Sequence, residues 1–149
     1  MFKDYVKKNL VCILNETEKN NVLTELLELI SKAIDIKDIS KIREGVLHRE
    51  SLMSTGLGLG IGVPHIRSEE INDLVVAIGV SRAGIDNYES IDDTKIKIVI
   101  MILAGVGQHR QYIKLLSLIF SNLKKDNIIK DLTEAKNADE IYSILTEEK

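Results

Sequence analysis

The stretch IKIVIMIL at residues 96–103 decides the fold. It is almost wholly aliphatic and rich in β-branched side chains, a composition typical of a strand buried on both faces. The stretch LVVAIGV at residues 74–80 has the same character. Turn-forming Gly, Asp and Asn residues lie between the two stretches, so we expect the two strands to pair within one sheet.

Helical patterns lie on both sides of these strands along the chain. Five segments place apolar residues at the spacing of amphipathic helices: residues 22–33, 39–50, 112–123, 127–132 and 138–145. A short apolar run at 10–14 suits a further strand, and Asn20 and Asn21 are candidate caps of the first helix. The order of elements predicts a single α/β domain over residues 1–149, with one sheet covered by helices on both faces.

Composition excludes several classes of protein. Of the 149 residues 44% are hydrophobic, which is enough for one sizeable core. The net charge of -3 comes from interspersed charges of both signs, and this argues against nucleic-acid and membrane-surface binding. The single cysteine, Cys12, lies in an apolar run and is expected in the core. Because no signal peptide or membrane-spanning stretch is recognisable, we expect a cytoplasmic protein.

Polar side chains, glycines and an imidazole come together between residues 49 and 65. Glycine occupies every second position of residues 56–62, which predicts a strand or an extended loop that a ligand can approach closely. Pro64 restricts the backbone directly before His65, so we expect His65 to be held stiffly near a strand end. A stiffly held imidazole suits a nucleophile; the alternative is an ordinary turn histidine.

The other two histidines differ in their surroundings. His109 begins a helix after a glycine-containing loop, where free N–H groups and the helix dipole favour an anion; the alternative is a capping or solvated histidine. His48 falls off the apolar face of its helix and is expected in solvent. Arg49 could reach a nearby anion, and so could Arg67, although a solvated arginine is the simpler interpretation of Arg67.

Several known motifs are absent from the sequence. The glycines step by two throughout, so they match neither a P-loop nor a dinucleotide-binding fingerprint, and no G-x-S-x-G nucleophile elbow occurs. A metal site built on two histidines is a minor alternative, because no H-x-x-x-H pair or nearby acidic cluster completes it.

Four segments together resemble a known family. Arg49–Ser51, Ser54–Gly56, Gly60–His65 and Gln108–His109 before an amphipathic helix are similar to the enzyme IIA domain of the bacterial phosphotransferase system, of the mannitol/fructose type. That family includes a nitrogen-regulatory branch. The resemblance covers nearly the whole chain and implies a mixed sheet flanked by helices on both faces.

The resemblance also implies a mechanism. His65 would accept a phosphoryl group from the phosphohistidine of HPr and pass it to a cysteine or histidine of a IIB partner. His109 and Arg49 would line the site, with Thr55 close by, and neither a metal nor a cofactor is implied. A neutral imidazole is the reactive form, and positive groups around it would offset the charge of the transferring phosphoryl group.

Three hypotheses follow from these observations. The first is a phosphocarrier that serves sugar uptake. The second is a nitrogen-regulatory protein whose phosphorylation state alters a protein partner. The third is a domain of the same shape that transfers no phosphoryl group.

Overall fold

The computed structural model describes residues 1–147. The strands and helices follow the order β1 (Val11–Ile13), α1 (Lys19–Ala33), α2 (Ile39–Leu52), β2 (Ile61–Gly62), β3 (His65–Arg67), β4 (Val75–Val80), β5 (Ile98–Ala104), α3 (His109–Leu123), α4 (Ile128–Glu134) and α5 (Ala138–Thr146). Short 3₁₀ turns are formed at Phe2–Tyr5, Lys8–Leu10 and Gly58–Gly60. No helix within residues 1–147 is long and apolar enough to cross a membrane.

The sheet is mixed. β4 and β5 form an antiparallel pair at its centre, β1 runs parallel to β4, and β2 and β3 both run parallel to β5 along its other edge. Every residue of β4 and β5 is buried. The prediction of two paired strands buried on both faces is therefore confirmed.

Helices cover the sheet on both faces. α1 and α2 pack on one face, where Leu26 and Val46 belong to the same apolar cluster as Met101 of β5. α3, α4 and α5 pack on the other face, where Leu115 and Ile119 belong to the same apolar cluster as Ile100 of β5. This arrangement confirms the predicted α/β class with helices on both sides.

β2 and β3 behave as one strand that is interrupted at Val63 and Pro64. They pair with β5 in the same register on either side of the gap. Pro64 has no N–H to donate, although its carbonyl still accepts from Ile102 N at 2.9 Å. Val63 N instead donates to the Thr55 carbonyl at 3.2 Å. As predicted, His65 follows the proline at a strand end.

Two local predictions need correction. α1 is capped by Glu18 and not by Asn20 or Asn21, because the Glu18 carboxylate accepts from the backbone N–H groups of both asparagines, at 3.1 and 3.4 Å. The glycine-rich stretch is not one extended segment. It forms a turn in which Leu59 has a φ of 68° before β2 begins.

Candidate functional site

His65 carries one hydrogen bond that defines its chemistry. It is the first residue of β3 and half-buried. Its Nδ1 lies 3.0 Å from the carbonyl oxygen of Val63, and a carbonyl can only accept, so Nδ1 must donate its proton. In the neutral ring, Nε2 then bears the lone pair and is the reactive nitrogen.

The guanidinium of Arg49 lies next to Nε2 of His65. Its Nη2 is 3.5 Å from Nε2 of His65. α2 passes close to β3 at Gly45, where an added Cβ would come within 2.2 Å of Cδ1 of Ile66, the end of a side chain on β3.

The surroundings lower the pKa of His65 below its usual value of 6.5. Burial of the ring is the largest cause, and the positive charges of Arg49 and Arg67 act in the same direction. The hydrogen bond to Val63 and the negative charge of Glu50 oppose the shift without cancelling it. The imidazole is consequently neutral near pH 7, as a nucleophile requires.

Tyr112 lies against the imidazole. Its ring centroid is 4.8 Å from that of His65, with the two planes tilted by 32°. Tyr112 belongs to the first turns of α3, and its side chain is half-buried. Helices from opposite faces of the sheet thus meet at His65: α2 through Arg49 and α3 through Tyr112.

Thr55 is held by the buried carboxylate of Glu50. Its backbone N–H donates to Glu50 Oε2 at 2.9 Å, and its hydroxyl donates to Glu50 Oε1. The hydroxyl of Tyr88 donates to the same Oε1 at 3.2 Å and lies 2.9 Å from the Thr55 hydroxyl. Burial and the nearby Glu50 charge raise the pKa of Tyr88, which keeps this phenol protonated as a donor.

A buried ion pair lies beneath this network. Lys19 Nζ is 3.3 Å from Glu50 Oε2, and the two side chains are only 11% and 2% exposed. Lys19 also donates to Ser54 Oγ at 3.4 Å and lies 4.5 Å from the centroid of the Tyr88 ring. The start of α1, the end of α2 and the loop after it are therefore tied together next to His65.

A cavity of about 330 Å³ opens beside His65. Arg49, Thr55 and Tyr112 line it together with the imidazole. The rest of its wall is largely apolar, formed by Met53, Leu57, Val63, Leu116 and Phe120. The cavity thus combines a polar end at the imidazole with an apolar wall.

The predicted site residues are brought together only in part. His65, Arg49 and Thr55 share one cavity. His109 is exposed at the start of α3 and lies next to Tyr112, with ring centroids 6.5 Å apart, but it does not line that cavity. Its participation stays a prediction. Arg67 is exposed at the end of β3.

Two other residues lie where the sequence predicted them. His48 is exposed on α2. Cys12 packs against the core on the side of α1 and α2, and burial raises the pKa of its thiol to about 12. No group of three His, Cys, Asp or Glu side chains suited to a metal is found within residues 1–147.

Sequence reasoning assigned no role to Glu50 or Tyr112. A signal for Glu50 was present, because it continues the four-residue spacing of Ile42 and Val46 and so falls on the buried face of α2. The sequence pattern predicts Tyr112 only as part of the apolar face of its helix. Its contact with His65 depends on how α3 packs against the sheet edge, which periodicity does not show.

Comparison with known proteins gives a consistent result. The sequence matches the family described as "Phosphoenolpyruvate-dependent sugar phosphotransferase system, EIIA 2" over residues 4–148. It is 35% identical over 130 residues to the fructose-specific EIIABC component of the phosphotransferase system from Bacillus subtilis strain 168. That match covers 87% of this chain and 20% of the longer Bacillus protein.

Two solved structures have the same fold. The nitrogen regulatory protein IIA-Ntr from Neisseria meningitidis superposes with a TM-score of 0.83 at 21% identity, covering 97% of this chain and 98% of that one. In the Escherichia coli complex of enzyme IIAMtl with phosphorylated enzyme IIBMtl, the matching chain has a TM-score of 0.76 at 21% identity, with 94% and 95% covered.

Proposed function

This chain belongs to the EIIA 2 family of the phosphoenolpyruvate-dependent sugar phosphotransferase system, and on that premise we propose that His65 is its phosphorylated residue and Nε2 the atom that carries the phosphoryl group. As a member of that family it is a phosphotransferase component. The observation that carries the assignment of the atom is the hydrogen bond from Nδ1 to the Val63 carbonyl, because it leaves the lone pair on Nε2, beside Arg49.

The transfer step balances without a further reactant. The Nε2 lone pair attacks phosphorus while the P–N bond to the donor imidazole breaks, and the donor ring keeps the electrons of that bond. A donor ring protonated on its other nitrogen leaves as neutral imidazole. The Nδ1 proton of His65 stays hydrogen-bonded to the Val63 carbonyl, so the phosphorylated ring is cationic and can leave as neutral imidazole in the next transfer.

The neighbouring groups act by charge and position. The Arg49 guanidinium faces Nε2 and offsets negative charge on the transferring phosphoryl oxygens. Thr55 supports the same end of the cavity, and its geometry is set by Glu50. His109 is proposed to assist from the exposed start of α3, where its ring neighbours Tyr112.

We propose phosphorylated HPr as the donor, a IIB protein or domain as the acceptor, and sugar uptake as the process served. The similarity to a fructose-specific component and the IIB complex formed by a protein of the same fold support this choice. The proposed location is the cytoplasm, where HPr acts.

The test is labelling with radioactive phosphoenolpyruvate in the presence of enzyme I and HPr. We expect the wild type to acquire an acid-labile, base-stable phosphoryl group, and His65→Ala to acquire none. His48→Ala is the matched control, because His48 is exposed on α2 and should leave labelling unchanged. Label that persists in His65→Ala contradicts the assignment of His65, and failure of the wild type to label favours a domain without phosphotransfer.

A nitrogen-regulatory role is the second candidate, because the chain shares its fold with the Neisseria nitrogen regulatory protein as well as with enzyme IIAMtl. In that case phosphorylation at His65 would change the affinity for a protein partner and would not supply a sugar. Transfer of label from the phosphorylated protein to candidate IIB proteins distinguishes the two, because efficient transfer excludes a purely regulatory role.

A further inference from the structure

We propose that Tyr112 is a positioning residue, whose ring holds the His65 imidazole in the orientation that presents Nε2 to the incoming phosphoryl group. The inference rests on the proposed function of His65. It adds a residue of α3 to a site in which Arg49 comes from α2, and it assigns the role to the aromatic ring and not to the phenol hydroxyl.

The other contacts of His65 do not fix the orientation of its ring completely. The hydrogen bond from Nδ1 to the Val63 carbonyl fixes one nitrogen but leaves the ring able to swing about that contact. Arg49 at 3.5 Å is a long contact from a flexible and exposed side chain, so it restrains the ring weakly. The ring of Tyr112, with centroids 4.8 Å apart, lies within the range of favourable aromatic packing and restricts the remaining motion.

Tyr112 is itself held in place. Its backbone N–H donates to the Gln108 carbonyl at 3.0 Å, and the Gln108 side chain accepts from the N–H of Gly105, directly after β5, at 2.7 Å. Further along α3, Leu115 and Ile119 are fully buried. The helix that carries Tyr112 is thus anchored to the same strand, β5, that pairs with β3 and positions His65.

The hydroxyl of Tyr112 is not required by this arrangement. It makes no hydrogen bond to the part of the chain that the structure describes, residues 1–147. The ring therefore accounts for the contact with His65, and phenylalanine should replace tyrosine without loss. A small side chain at this position should free the imidazole.

The first test uses the unphosphorylated protein. Histidine labelled with nitrogen-15 allows NMR to report which ring nitrogen of His65 bears the proton. We expect the wild type and Tyr112→Phe to show the proton on Nδ1. In Tyr112→Ala we expect a measurable shift towards the form protonated on Nε2, since a released imidazole adopts both tautomers. An unchanged tautomer in Tyr112→Ala overturns the proposal.

The second test measures phosphoryl transfer from HPr. Misplacing a reacting group by about 1 Å can cost on the order of 100-fold in rate, so we expect Tyr112→Ala to slow acceptance by about tenfold or more, with Tyr112→Phe close to wild type. Equal losses in the two variants would assign the effect to the hydroxyl and overturn the role of the ring.

Two controls separate a local effect from loss of folding. Tyr142→Ala removes a partly buried tyrosine on α5, away from the His65 cavity, and should leave the tautomer and the rate unchanged. Should Tyr112→Ala fail to fold, Tyr112→Leu keeps apolar contact with the core and is tested in its place, with the same expected results. Because the NMR test needs no phosphorylation, failure of the wild type to accept label would count against the proposed function and not against the contact.

Discussion

At the scale of single residues, the chemistry of the site depends on a backbone carbonyl. Val63 accepts the Nδ1 proton of His65, and Pro64 between them interrupts the pairing with β5, so that the strand resumes only at His65. Pro64 therefore does more than restrict the backbone before His65. It lies between the Val63 carbonyl and the His65 imidazole, and the hydrogen bond between these two groups makes Nε2 the reactive nitrogen.

Removing the charge of Arg49 should change the titration of His65. Arg49 is one of the cations that lower the pKa of His65, so Arg49→Ala should raise that pKa towards 6.5. The rate of phosphoryl acceptance should fall by about 100-fold at pH 7.5, because a group that stabilises transition-state charge is lost. The low-pH limb, along which the rate falls as His65 becomes protonated, should move to higher pH.

NMR titration and the pH dependence of labelling measure these changes. Arg43→Ala, an exposed position on the same helix, is the control and should leave the pKa of His65 as it is. A pKa in Arg49→Ala equal to the wild-type value would argue against an electrostatic contribution from Arg49.

At the scale of elements, the ends of α1 and α2 are joined by a buried charge pair. The Lys19–Glu50 contact at 3.3 Å also positions Thr55 through the shared carboxylate. A buried ion pair is weak support for stability as such, but loss of one partner leaves the other charge uncompensated. Through Glu50 and Thr55, the pair links the start of α1 to the loop after α2.

A double-mutant cycle tests that coupling. Lys19→Met should lower the free energy of unfolding by about 3–5 kcal/mol, because it leaves the Glu50 carboxylate buried without its cation. Glu50→Gln should destabilise the wild type but stabilise Lys19→Met, since there it removes an unpaired charge. Urea unfolding gives the free energy of unfolding of the wild type, the two single variants and the double variant. The exposed pair Lys8–Asp139, at 3.5 Å, is the control and should couple by less than about 1 kcal/mol. Equal effects of Glu50→Gln in both backgrounds would contradict the coupling.

Packing of the loop after α2 should depend on Gly56. A Cβ at this position would come within 1.9 Å of the backbone oxygen of Glu89, which cannot move aside as a flexible side chain would. Gly56→Ala should therefore destabilise by about 1–3 kcal/mol. At Gly107 a Cβ would meet nothing within 4 Å, so Gly107→Ala should change stability by less than about 0.5 kcal/mol. Thermal melting compares the two, and equal stabilities would show that the loop can shift.

At the scale of the whole molecule, the sheet separates two apolar layers, and the site forms where both layers reach one edge. β2 and β3 are the edge segments next to β5. Arg49 comes from α2 in one layer and Tyr112 from α3 in the other. A site at this edge can recruit side chains from both layers, which a site over the centre of the sheet could not.

The two layers should nevertheless unfold together. Leu26 on α1 and Ile119 on α3 are fully buried on opposite faces of the central strands. Leu26→Ala and Ile119→Ala should each cost about 2–5 kcal/mol. Because the sheet lies between them, their effects should add within about 0.5 kcal/mol.

Urea unfolding followed by circular dichroism and by tyrosine fluorescence provides the measurement. Coincident transitions by the two probes are expected for a single cooperative unit. Separate transitions for the two signals would contradict unfolding as one cooperative unit.

The sequence by itself determined the strands β1, β4 and β5, the helices and the candidate imidazole. Continuous aliphatic runs, helical spacing and a proline before His65 are local patterns. They depend on the backbone and side-chain chemistry of residues that are close in the chain, so they can be recognised in the sequence. The family resemblance added Thr55 to the expected site, and it gave a role in phosphoryl transfer to Arg49 and His109, which the residues alone already suggested as neighbours of an anion.

Only the tertiary structure decided which groups meet His65. The ring of Tyr112 and the burial of Glu50 with Lys19 depend on contacts between segments far apart in the chain. The exposed position of His109, outside the cavity, depends on them as well. The carbonyl that selects Nε2 belongs to Val63, only two residues before His65, but the side-chain orientation that brings Nδ1 to it is visible only in the structure. Hydrophobic periodicity shows which face of a helix is buried. Which residues that face contacts depends on how both helix layers pack against the sheet edge.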